Sequence, residues 1–96
     1  MTMKAAEGGA GHGIHVLEAQ PGCESIVWQL AVATEDRRKV LRWTCECKDE
    51  VYYLITAGGR GYVERAGPRG VRVQTSRMRY AQIADLWELI ILGRAR

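Results

Sequence analysis

The stretch from Arg77 to Leu92 limits what this chain can fold into more than any other. After Tyr80 its only residues of exposed type are Gln82, Asp85 and Glu88. They recur every third position, so they make one narrow polar stripe on an otherwise apolar cylinder. A helix this apolar has to be covered on most sides. Tyr80, Ile83, Ala84, Trp87, Ile90 and Ile91 share one stripe at helical spacing, and Ala81, Leu86, Leu89 and Leu92 widen it beyond what one small sheet needs. The spacing predicts a helix from about 77 to 92. It also predicts a homodimer whose interface includes Tyr80, Ile83, Trp87, Leu89 and Ile90, because a small core gains from association. The plainer alternative is a helix buried wholly within its own chain. Thr75 or Ser76 is the expected N-cap, since a hydroxyl there can accept from an unpaired backbone N–H. Gly93 suits the left-handed position that ends a helix, and Arg94 and Arg96 suit the negative end of its dipole.

What covers the helix is read from the residues upstream. Ser25 to Thr34 alternates, with Ile26, Trp28, Leu30 and Val32 on one face. Lys39 to Cys47 alternates too, with Leu41, Trp43, Cys45 and Cys47 on one face. The charged run Glu35 to Arg38 between them reads as a hairpin connection. Val51 to Ala57 is rich in β-branched and aromatic residues and reads as a central strand. Gly58 to Gly61 is a turn. Gly67-Pro68-Arg69-Gly70 separates two further strands, Tyr62 to Arg65 and Val71 to Thr75. Ile14 to Ala19 is a candidate short edge strand. The expected fold is α+β: an antiparallel β-meander of about five strands packed against one C-terminal α-helix. Trp28, Leu30, Leu41, Trp43, Leu54, Ile55, Ile83, Trp87 and Ile90 should be largely buried. Residues 1–13, rich in Gly and Ala and without periodicity, read as a flexible tail, which leaves 14–96 as a single domain.

No apolar run, Leu89 to Leu92 included, comes near the length needed to span a bilayer, so no membrane association is expected. Met1 to Gly13 lacks the apolar core of an export signal, and there are only three cysteines. A cytoplasmic, reducing location follows as the expectation.

The net charge of +3 is unevenly placed. Residues 60–79 hold Arg60, Arg65, Arg69, Arg72, Arg77 and Arg79 against one acid, Glu64, whereas residues 1–59 have more acids than bases. A local cluster of planar guanidinium groups is suited to phosphate or carboxylate, and Tyr62 and Tyr80 could stack on bases. These six arginines are the candidate surface for nucleic acid or another acidic partner. The bland alternative is a solvated face in an arginine-rich composition.

Nothing in the chain specifies a reaction. The only histidines, His12 and His15, lie in or next to the Gly-rich tail, a poor place to hold a base beside a thiolate. No nucleophile elbow, phosphate loop or zinc-protease motif is present. No catalysis, no cofactor and no bound metal are expected. One alternative stands beside that expectation: Cys45 and Cys47, two apart, could bind zinc together with a histidine from Gly-His-Gly-Ile-His, with Cys23 nearby in sequence. The wider spacing of usual zinc thiol pairs argues against it. The cysteines would then be small core hydrophobes.

The end of the chain reads Tyr62-Val63-Glu64-Arg65, then Val71-Arg72-Val73-Gln74-Thr75, then Leu86-Trp87-Glu88-Leu89-Ile90-Ile91-Leu92-Gly93-Arg94-Ala95-Arg96. In composition and order this ending resembles small actinobacterial developmental regulators of the BldB type, over about residues 50–96. The resemblance implies a small dimeric regulator that acts in transcriptional or developmental control, through DNA or another regulatory protein. It transfers no site residues. An adaptor module without nucleic-acid contact is the other binding role the chain would suit.

Overall fold

Among the described residues six strands and one α-helix follow one another: β1 (Gln29–Leu30), β2 (Lys39–Trp43), β3 (Val51–Ala57), β4 (Arg60–Ala66), β5 (Arg72–Gln74), β6 (Met78–Arg79) and α1 (Tyr80–Ile91). They come from a computed structural model that describes residues 14–31 and 38–96. The tail expected over 1–13 and all but Arg38 of the connection expected over 35–38 lie outside the described residues. The antiparallel sheet runs in the order β1-β5-β4-β3-β2, with β6 added to β4. The α+β architecture is therefore as the residue pattern implies. One feature differs. β1 pairs with β5 at the far edge and not with β2, so the two strands flanking residues 35–38 do not form a hairpin.

The hairpin of β3 and β4 is the centre of the sheet. Its two-residue turn is Gly58-Gly59, with φ of 60° and 82°. That double positive φ matches the right-handed twist of the strands, and glycine adopts it without penalty. The register pairs Leu54 with Val63 and Tyr52 with Arg65, which puts all four on one face. On that face Tyr52, Leu54 and Val63 meet Ile83, Trp87 and Ile90 of α1, all buried. Gly61 sits under the helix, where a Cβ would come within 2.5 Å of the Ile83 side chain. The other face carries Ile55, Ala57 and Tyr62, also buried, and the fully covered carboxylate of Glu64.

β5 and β6 share the second edge of β4, one at each end. Thr75 joins them. Its backbone N–H donates to the Val63 carbonyl (2.9 Å), and its hydroxyl accepts from the Val63 N–H (3.1 Å) and donates to the Ser76 carbonyl (2.9 Å). A side chain thus completes the ladder where the backbone turns away. Thr44 does the same at the opposite edge, where its hydroxyl accepts from the Tyr52 N–H. Thr75 is therefore not a helix cap. The chain stays extended through β6, and α1 opens at Tyr80 with Arg79 as its cap residue and no side-chain cap bond. The C-terminal end is as expected. Gly93 has φ 75°, its N–H donates to the Ile90 carbonyl, and the Arg94 N–H donates to the Leu89 carbonyl. This doubly bonded left-handed ending satisfies two carbonyls that the helix leaves over.

Two expected core residues lie outside. Trp43 is 54% exposed because a register shift between Val40 and Arg42 breaks the alternation and turns Val40 and Trp43 to the same side. Leu30 is 77% exposed because β1 is a two-residue edge strand that reaches past the helix. Trp28 and Leu41 are half-buried, while Leu54, Ile55, Ile83, Trp87 and Ile90 are buried.

Residues 14–26 form no regular strand beyond two isolated bridges, Ile14 to Thr44 and Glu24 to Ala95. They act as a strap across the end of α1. The Leu17, Gln20, Glu24 and Ile26 N–H groups donate to the carbonyls of Ile91, Gly93, Arg94 and Arg96. In return the Arg96 N–H donates to the Glu24 carbonyl, and its guanidinium reaches the carbonyls of Ile90, Ala95 and Leu17. No described helix is long and apolar enough to cross a membrane.

Candidate functional site

The six arginines divide three ways. Alternation along β4, β5 and β6, with the registers that join them, puts Arg60, Arg72, Arg77 and Arg79 on the sheet face opposite α1. Arg38 joins them there by its contact with Glu64. Arg65 points to the helix face, where its guanidinium lies 4.5 Å from the Trp28 ring centroid and 3.9 Å from a Glu50 carboxylate oxygen. Arg69 is at the tip of the Pro68–Gly70 turn, with φ 70°.

On the shared face the buried Glu64 carboxylate accepts from Arg38 at 2.7 Å and from Arg72 at 3.2 Å. One carboxylate held by two guanidinium groups leaves that cluster with a net positive charge. The hydrogen bond to Glu64 holds the Arg38 guanidinium above its already high ordinary pKa, so its charge is secure. Arg72 also lies over the Tyr53 ring (5.5 Å) and Arg77 over Tyr62 (5.2 Å). Arg60 and Arg79 are direct cross-strand partners at the entrance to α1. Like charges placed opposite each other disfavour the pairing, and cations at a helix N-terminus oppose its dipole. Among the described residues neither has an ion-pair partner, since Glu64 and Glu50 are engaged elsewhere.

The residues expected at a dimer interface are mostly used inside the chain. Ile83, Trp87 and Ile90 are covered by its own sheet, and Leu89 packs half-buried against the same core. Tyr80, 44% exposed, is the one of the five that remains on the surface. The strap supplies Val16 and Ile26 as further cover for the apolar stripe, while Tyr80, Ala81 and Leu92 stay exposed.

A second cluster lies at the end of β2. The strand stops at Trp43, and the chain then turns through Glu46 and Cys47. The turn brings the Cys45 thiol to 3.0 Å from the Cys47 sulfur, and the Cys47 N–H donates to the Cys45 sulfur at 3.4 Å. The strap delivers the third member. Ile14 bridges Thr44 in parallel and its carbonyl accepts from the Cys45 N–H (2.8 Å). His15, next along, places its Nε2 3.5 Å from the Cys47 sulfur. The three donor atoms all lie within 4.8 Å of one another. Sequence alternation places Cys45 and Cys47 on an extended strand. The chain is turned there, and the thiols converge for that reason. Cys45 is buried and Cys47 exposed, so the reading of both as core hydrophobes holds only for Cys45. Cys23 lies elsewhere, with its thiol on the Glu24 carbonyl. The hydrogen bond with Cys45, then loss of solvent, then the charge on that neighbour push the Cys47 thiol above its ordinary range. His12 lies outside the described residues.

No known protein family, no curated protein and no solved structure matches this chain.

Proposed function

We propose that this chain is a non-enzymatic regulatory protein that binds nucleic acid through the sheet face opposite α1. The observation that carries the proposal is the Arg60–Arg79 pair. Two exposed arginines are direct cross-strand partners at a helix entrance, where both the pairing and the dipole work against them. A phosphate between them would turn that cost into an attraction, because each arginine offers a planar fork of donors to the oxygens. Arg72 and Arg77 continue the same face beside Tyr53 and Tyr62. Tyr62, expected to stack on bases, is buried under Arg77 and closed to them, so guanidinium groups are the means by which this face would hold a phosphodiester strand. A role in transcriptional or developmental control fits this reading and the resemblance of residues 50–96 to BldB-type regulators.

Retention on single- and double-stranded DNA and on RNA, measured against salt, tests the proposal. Affinity should fall steeply as salt rises, because each phosphate contact releases a counterion. Arg60→Gln with Arg79→Gln should flatten the slope by about one unit per arginine. Absence of retention at low salt, together with recovery of one specific protein partner insensitive to nuclease, would replace the reading with an adaptor role.

A further inference from the structure

The structure assigns a second site, separate from the arginine face: a zinc-binding clamp made by Cys45, Cys47 and His15. Two thiols and an imidazole are a donor set for a borderline-soft cation such as Zn²⁺. The geometry is close to what that ion requires. Zinc-to-sulfur bonds of about 2.3 Å at tetrahedral angles set the two sulfurs roughly 3.8 Å apart, and zinc-to-nitrogen bonds of about 2.0–2.1 Å set sulfur and nitrogen roughly 3.5 Å apart. The observed separations are 3.0 Å between sulfurs, 3.5 Å from the Cys47 sulfur to His15 Nε2, and within 4.8 Å for the remaining pair, Cys45 and His15. Cys47 and His15 are both exposed, so their side chains have room to adjust to the required spans.

Two further features favour a cation at this place. The Cys47 N–H aimed at the Cys45 sulfur is a donor positioned to stabilise a thiolate. Finally, the donors come from two segments that the backbone has already registered, since the Ile14 carbonyl accepts from the Cys45 N–H. The ion would therefore fasten the strap to the turn after β2. Three protein donors leave a fourth position, which takes water or one more ligand.

The full chain, prepared under reducing conditions without chelator, tests this. Bound metal is counted per chain, and Co²⁺ is then used as a coloured substitute. The expected result is one zinc per chain, a thiolate-to-cobalt charge-transfer band with the intense visible bands of a tetrahedral ion, and a higher Tm with zinc than after chelation. Cys47→Ser and His15→Ala alter exposed side chains and leave the core intact. Each should weaken zinc binding by more than about a hundredfold, beyond what loss of an outer-shell partner costs. Folded protein that holds no zinc or cobalt overturns the proposal. So does binding unchanged by Cys47→Ser, which would place the metal elsewhere.

Discussion

Replacing Thr75 by Val keeps the shape of the side chain and removes only its hydroxyl. The Val63 N–H would then face a methyl group in a fully buried place, because both Val63 and Thr75 are almost without exposure. No water can take over, and no backbone carbonyl is in line, since β5 has ended at Gln74 and β6 begins at Met78. A buried amide left without its acceptor costs about 1–3 kcal/mol. For a chain of this size each kcal/mol moves Tm by about 4–8 °C, so the expected drop is on the order of 5–20 °C. Thr75→Ser is the matched control. It keeps the hydroxyl and loses one methyl, worth about 0.8 kcal/mol. Thermal unfolding of the two variants beside the parent, with hydrogen exchange at the Val63 amide, gives the answer. The expected order is parent, then Ser, then Val, with faster exchange at Val63 only in the Val variant. A Val variant as stable as the parent, with its Val63 amide still protected, would refute the idea that this side chain completes the sheet.

Two other perturbations have defined outcomes. Gly93→Ala forces a side chain into a left-handed residue (φ 75°) and drives its Cβ into the Glu18 carbonyl oxygen; it should destabilise by about 2 kcal/mol or more and expose residues 14–26 to limited proteolysis before the sheet. Burial, then the charge of Glu50, raises the Tyr52 phenol pKa, with Arg96 and Arg65 opposing. A value raised in the folded state favours the neutral phenol, so its contribution is complete below the unfolded value of about 10 and is lost as pH climbs through the folded one. Urea midpoints at pH 8 and near pH 11 should therefore differ more for the parent than for Tyr52→Phe.

Local chemistry in the sequence is reliable where one segment decides its own conformation. Val51–Ala57, the Gly-Gly turn and the glycine ending of α1 are such cases. It misleads where a distant partner decides. The Thr75 hydroxyl has the chemistry of a helix cap, but the gap beside Val63 claims it. The alternation of β2 is read correctly until the shift at Val40 to Arg42, which no residue there announces. The arginines are plain in the chain, yet their division between faces follows from strand register. The Cys45–Cys47–His15 cluster is the least legible part. It needs both a turn where alternation implies a strand and a bridge between Ile14 and Thr44.

That bridge also bears on the order in which the molecule assembles. The β3–β4 hairpin closes over two residues and can form by itself early. The strap cannot. Its partners, Thr44 at one end and Ala95 at the other, belong to segments far away in the chain, and contacts of such long loops form only after their closure entropy has been met. The three donor atoms thus come together only when the strap docks. A metal that needs all three would bind after that step, and its release would mark the strap letting go. Cobalt absorbance during refolding would therefore time the docking of the strap, while the combined fluorescence of Trp28, Trp43 and Trp87 follows the collapse of sheet and helix.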